Sequence, residues 1–118
     1  MATTITAQFD LDALDGVREK LRLDWEDLAA TVGVDQSTLY RWRQRESSPR
    51  PVYRSRLQQV AELVELLPRV FAGPDLAREW LRSARPESLG GTATPLDVMR
   101  AGRIDRVLTL LHLLARGG

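Results

Sequence analysis

An all-α fold is predicted for this 118-residue chain by three features of its sequence. Apolar residues return at spacings of three and four, the repeat of a helix with one buried face. No stretch sustains the strict alternation of a half-buried strand. Aspartate, threonine or proline opens several of the periodic segments and glycine closes several, which is the end chemistry of helices. With 43% hydrophobic residues the chain can bury a core of its own.

The first helix is expected over about 10–22. Asp10 caps it, and Leu11, Leu14, Val17 and Leu21 lie along one side. Residues 1–9 precede it and read as a short mobile tail. A second helix starts after Asp24, with Asp27 three residues on as the partner of a near capping box, and Leu28 and Val32 one turn apart. Gly33 breaks the pattern because glycine enters the left-handed region freely. A third helix starts at Asp35 or Gln36 and runs to about Gln44, with Leu39 and Trp42 inward. Ser47-Ser48-Pro49-Arg50-Pro51 opposes helix continuation and reads as a linker. A long helix follows from about Tyr53, carrying Leu57, Val60, Val64 and Leu67, and Pro68 is expected to kink or stop it. Pro74-Asp75 opens a short helix to about Leu81. Residues 83–94 form a loop, marked by Pro86 and Gly90-Gly91. Thr94 caps a short helix through Met99, with Pro95 in its first position, and Gly102 ends it. The last helix spans Arg103 to about Ala115, with Ile104, Val107, Leu108, Leu111 and Leu114 on one side. Two modules result: residues 10–50 and residues 51–118.

Several function classes lack their residues. The chain has no cysteine and one histidine, His112, so a disulfide scaffold, a thiol nucleophile and a transition-metal site are not expected. Gly90-Gly91 is too short for a phosphate loop, and no Ser/His/Asp set has a plausible frame. A non-enzyme without cofactor, metal or small-molecule substrate is expected. No window approaches the roughly 20 apolar residues of a membrane span, and the N-terminus lacks a secretory pattern, so a cytoplasmic location is expected.

The formal net charge of +1 conceals a strong asymmetry. Residues 1–35 carry eight acidic and three basic groups. Residues 36–56 carry six arginines (41, 43, 45, 50, 54 and 56) against Glu46 alone. Such a block in a nearly neutral chain suggests a docking surface for a polyanion.

That block overlaps the segment Trp25–Gln44, WEDLAATVGVDQSTLYRWRQ. It resembles the helix-turn-helix of the Xre/Cro-like repressors over all of its 20 residues. Leu28 and Leu39 suit packing across the turn. Ala29 suits a close helix crossing, Gly33 the turn itself and Val34 a plug beneath it, while Trp42 suits locking the second helix down. The resemblance implies that the second helix enters a major groove of double-stranded operator DNA. Gln36, Ser37, Thr38, Tyr40, Arg41, Gln44 and Arg45 would then face outward. Gln36 suits adenine and Arg41 guanine. Ser37, Thr38, Arg43 and Arg45 suit phosphates, with Arg50, Arg54 and Arg56 holding the backbone beyond the turn. Such modules gain affinity by binding symmetric sites in pairs, so a homodimer is expected.

Residues 62–114 resemble the toxin-binding domain of the Xre/MbcA/ParS antitoxin family. The matching positions are Leu63, Leu66-Leu67, Val70-Phe71, Ala77, Trp80-Leu81, Leu89-Gly90-Gly91, Thr94-Pro95-Leu96-Asp97, Gly102, Val107 and Leu110-Leu111. The stretch from Gly91 to Asp97 is the most specific of these. The implied fold is an N-terminal helix-turn-helix bundle joined to a small C-terminal helical module for toxin binding and dimerisation. The implied function is a type II antitoxin that neutralises a RES-domain, NAD-degrading toxin and represses its own operon. Trp80, Leu89, Gly91, Pro95, Leu96, Arg103, Val107, Leu110, Leu111, Leu114 and Arg116 would touch that toxin. Relatives commonly carry a bulky apolar residue in a tail beyond the last helix, where this sequence has only Arg116-Gly117-Gly118. The alternative is a stand-alone helix-turn-helix regulator with no toxin, and a toxin gene next door would distinguish the two.

Overall fold

A computed structural model describes residues 14–117, and the predicted cap Asp10, Leu11 and the tail over 1–9 lie outside the described residues. Within them every regular element is helical. Helix α1 covers 14–21 and turns its predicted positions Leu14, Val17 and Leu21 into the core. Helix α2 is Trp25–Val32, α3 is Gln36–Arg43, α4 is Pro51–Val70 and α5 is Pro74–Ser83. A 3₁₀ turn follows at Glu87–Leu89, then α6 at Pro95–Arg100 and α7 at Ile104–Ala115.

The ends of α2 and α3 follow the chemistry of the sequence. Asp24 accepts the Asp27 amide at 2.8 Å while Asp27 takes the Asp24 amide in return at 3.5 Å, closing a capping box. Gly33, at φ 94°, ends α2. Asp35 then caps α3 through the Thr38 amide at 2.8 Å. Thr94 and Asp97 form a second capping box at the head of α6.

Three boundaries differ from expectation. Helix α4 starts at Pro51, inside the expected linker. Proline holds Arg50 extended (φ −69°, ψ 159°) and itself takes the first helical position, where its missing N–H costs nothing. The same helix runs two residues past Pro68 to Val70. Leu66 and Leu67 are buried there while Pro68 faces solvent, so packing of the inner side carries the helix past the lost hydrogen bond. Helix α5 extends two residues beyond Leu81, and the expected loop over 83–94 contains the 3₁₀ turn.

One continuous apolar cluster runs from Leu14 to Leu111 across both predicted modules. Helix α4 lies along α7, and α2 packs on both α3 and α6. Trp42, only 3% exposed, meets the Tyr53 ring at 5.7 Å and fastens α3 to the head of α4. Leu114, expected on the buried side of α7, is instead 39% exposed because it lies in the helix's last turn.

Candidate nucleic-acid interface and partner face

The outer side of α3 is a polar array on a rigid base. Leu39 and Trp42 anchor the helix below. Gln36, Ser37, Tyr40, Arg41, Gln44 and Arg45 are exposed above, and Thr38 is half-buried. Tyr40 is the most exposed aromatic side chain of the array, at 56%. Arg41 donates to the Thr38 hydroxyl at 3.2 Å. Ser37 donates to Asp35 at 3.2 Å. Hydrogen bonding from Thr38, then from Ser37, holds the Asp35 carboxyl below its ordinary range. A carboxylate at the start of α3 suits the helix dipole.

The arginine block divides into two groups. Arg41, Arg43, Arg45, Arg50 and Arg54 are exposed, and of these Arg41 and Arg54 bond only groups close by in sequence, the Thr38 hydroxyl at 3.2 Å and the Pro49 carbonyl at 3.3 Å. Arg43 and Arg56 are committed within the chain. Arg43 bonds Asp15 at 3.1 Å, and its guanidinium lies 4.2 Å from the centre of the Trp25 ring. Arg18 lies 5.0 Å from the same ring. Arg43, expected at a phosphate, is therefore a strut joining α3 to α1 and α2 in this conformation. Arg56, expected to hold the DNA backbone, is half-buried and directs Nη1 at the Thr31 carbonyl, 3.5 Å away. A shallow hollow of about 260 Å³ lies between Trp25, Gln36, Ser37, Leu39, Tyr40 and Arg43, at the edge of the exposed array.

The residues implied for partner binding fall into two sets as well. Val107 and Leu111 are fully buried, and Leu89, Pro95 and Leu96 nearly so. They shape the surface from beneath and do not present a side chain to it. Trp80, Gly91 and Leu110 are half-buried, while Arg103, Leu114 and Arg116 are exposed. Trp80 tilts against Phe71 with ring centres 5.3 Å apart. Arg103 forks onto Asp105 at 3.2 and 3.3 Å, and that pairing holds the Asp105 carboxyl below its ordinary range. His112, outward on α7, pairs with Glu62 of α4.

Three apolar residues on the surface were not among the predicted contacts: Leu113 at 48% exposure, Leu76 at 51% and Val52 at 64%. Leu113 was legible, because α7 holds more leucines than one stripe can bury and Leu113 sits three positions beyond Leu110. Leu76 carries no such signal in its neighbourhood. Among the described residues no group of histidine and carboxylate side chains could hold a metal ion, and no helix is long and apolar enough to cross a membrane.

No family model matches the chain. Its sequence is 31% identical over 108 residues to the mycobacterial cidal antitoxin MbcA of Mycobacterium bovis, spanning 88% of this chain and 89% of that protein. The same protein from Mycobacterium tuberculosis matches to the same extent. Among solved structures, a chain in the crystal structure of the M. tuberculosis MbcT–MbcA toxin–antitoxin complex superposes with a TM-score of 0.66. The superposition covers 91% of this chain and 94% of that one, at 26% sequence identity.

Proposed function

The chain belongs to the family of the mycobacterial cidal antitoxin MbcA, and from that premise we propose that it is an antitoxin, neutralising a protein toxin through its C-terminal half. The observation that carries this reading is the relationship along nearly the whole chain, joined to the structural likeness to a chain of a toxin–antitoxin complex. The chemistry of the C-terminal half supports it. Leu110, Leu113 and Leu114 leave an apolar stripe on α7, bordered by Arg103 and Arg116. A non-obligate protein partner suits such a stripe, with apolar side chains at its centre and arginine at its edge. The toxin of this reading is a RES-domain, NAD-degrading enzyme, and the antitoxin acts by occlusion without chemistry of its own.

In the same reading the N-terminal half is a helix-turn-helix that binds the operator of its own operon as a homodimer in the cytoplasm. The exposed Gln36, Tyr40, Arg41 and Gln44 are the base-reading residues, and Arg45, Arg50 and Arg54 hold the backbone. The support is the coincidence of the outward polar face of α3 with exposed members of the arginine block.

Co-expression with the product of the adjacent gene, followed by affinity purification, size-exclusion chromatography and cellular NAD assay, tests the proposal. A co-eluting complex that restores NAD is expected. A chain that elutes alone as a dimer, still binds duplex DNA and leaves NAD loss unchanged overturns the antitoxin reading in favour of a stand-alone regulator.

A further inference from the structure

The basic residues of the otherwise acidic stretch 1–35 are Arg18, Lys20 and Arg22, clustered around the end of α1. The fold separates them. Lys20 lines an apolar hollow between α1, α4 and α5, beside Leu67, Phe71 and Ala77. Arg18 and Arg22 are exposed and lie about one helical turn apart. Arg18 sits 5.0 Å from the Trp25 ring, and Trp25 is a wall of the hollow it shares with Gln36, Ser37 and Tyr40 of α3. Arg22 stands just past α1 in the left-handed region, at φ 52°. Its carbonyl accepts Nη2 of the exposed Arg82 at 2.9 Å, which brings in α5 from 60 residues away. That bond uses one donor of a guanidinium that has several. Among the described residues no carboxylate pairs with Arg18, Arg22 or Arg82. Asp15, the acid of α1 nearest the Trp25 ring, is taken by Arg43 at 3.1 Å. Glu19, three residues before Arg22, forms no ion pair with it.

We propose that Arg18, Arg22 and Arg82 form a second track for the sugar–phosphate backbone, which continues the α3 face past Trp25 and holds the duplex flanking the site that α3 reads. This rests on the nucleic-acid reading proposed above and adds to it a cation from α5, in the half of the chain assigned to the protein partner. Continuity carries the assignment: each step from α3 to Trp25, to Arg18, to Arg22 and to Arg82 is a contact or a single helical turn. The three guanidiniums are strung along the end of α1 and do not converge on one point. That arrangement suits a row of phosphates better than one small anion. The indole beside Arg18 and the carbonyl under Arg82 hold both side chains in place before a ligand arrives, and a planar guanidinium matches phosphate oxygens in pairs. Contacts of this kind set register and add affinity without reading sequence.

The test is a salt series of duplex binding by the full chain, with a duplex selected from a randomised pool and with the same site trimmed of its flanks. Arg18→Gln and Arg22→Gln should each lower the log–log slope by about one, and the double variant by about two. They should weaken all duplexes alike and leave the ranking of altered sites unchanged. On the trimmed duplex the wild type should lose the same slope, and the variants should bind as it does. Arg82→Gln also removes the bond to the Arg22 carbonyl, so its melting temperature is read alongside, and Arg82→Lys, which keeps the charge, should recover the slope. Arg106→Gln, an exposed arginine of α7 bonded to the Ser88 carbonyl, is the control and should leave the slope unchanged. Unchanged slopes in the double variant overturn the track. An equal loss in Arg106→Gln overturns it too, because bulk charge would then account for the effect. A double variant that keeps its slope but no longer co-purifies with a toxin assigns these arginines to the protein interface instead. If the wild type selects no duplex, the nucleic-acid reading itself fails. Selection that survives with unchanged slopes removes the track alone.

Discussion

Arg45 has a backbone conformation that favours glycine, with φ at 61°. Its amide bonds the Trp42 carbonyl at 3.1 Å and the next amide, of Glu46, bonds the Arg41 carbonyl at 2.9 Å, the two closing bonds of a left-handed helix end. An L side chain there costs about 1 kcal/mol. Arg45→Gly is therefore expected to raise stability by about 0.5–1 kcal/mol in chemical denaturation while weakening duplex binding by the loss of a cation. A drop in stability would show that the arginine makes a compensating contact. Arg41 and Arg43, two residues apart, should behave differently. Arg41→Ala should weaken a selected duplex by about 1–3 kcal/mol with thermal unfolding unmoved. Arg43→Ala should move the melting temperature, since it removes the Asp15 bond and the Trp25 stack together. Equal effects of the two variants on duplex affinity, with equal melting temperatures, would refute the division. That division was hidden in the sequence. Asp15 lies 28 residues from Arg43 and Thr31 lies 25 from Arg56. Composition placed the charge, but the fold decides which guanidinium is already engaged.

At the scale of the element, caps and stripes were the most readable features. Asp24, Asp35 and Thr94 stand where the helix starts they predict are found, and the buried side of each helix follows its three-and-four spacing. The prolines were less readable, because Pro51 begins a helix and Pro68 lies within one, and only the burial of neighbouring side chains separates those outcomes from a stop. Leu28, fully buried on α2, should lose about 2–5 kcal/mol of stability on truncation to alanine, read from the denaturant midpoint. An unchanged midpoint would remove it from the core. The caps also carry a pH signature. Hydrogen bonds to Asp35 from Thr38 and Ser37, and to Asp97 from the Thr94 amide, hold both carboxyls below their ordinary range. Folded pKa values lower than unfolded ones mean stabilisation that is complete above the ordinary carboxylate range and lost as pH falls through the depressed values. Unfolding midpoints should hold level above about pH 5 and decline below about pH 4. Asp35→Asn, which still caps but does not titrate there, should flatten part of that decline. A decline of the same size in Asp35→Asn would assign the acid sensitivity elsewhere.

For the whole molecule, the modular division drawn from the sequence describes two surfaces on a shared interior. The apolar cluster runs through both halves, and α4, which begins the second, also seats Trp42 of the first through Tyr53. Linear order shows where charge and turn chemistry change, and says less about which helices touch, since the α2–α6 contact joins segments far apart in the chain. The candidate partner face was legible as a surplus of leucines on α7. Which of them lie outward needed the position of α4. Leu113→Glu with Leu114→Glu should abolish co-purification with a toxin and leave melting temperature and duplex binding nearly unchanged, because both side chains already face water. A complex that survives the double change would move the interface off the end of α7.

The three tryptophans sit in three chemically distinct places. Trp25 lies beneath two guanidinium groups at the edge of the α3 face, Trp42 is sealed in the core against Tyr53, and Trp80 is half-open beside Phe71. The chain thus carries three intrinsic fluorophores, one for each event it is proposed to undergo. Variants that keep a single indole, with phenylalanine at the other two positions, would report a duplex arriving through Trp25, a protein docking through Trp80 and unfolding through Trp42, with no label attached.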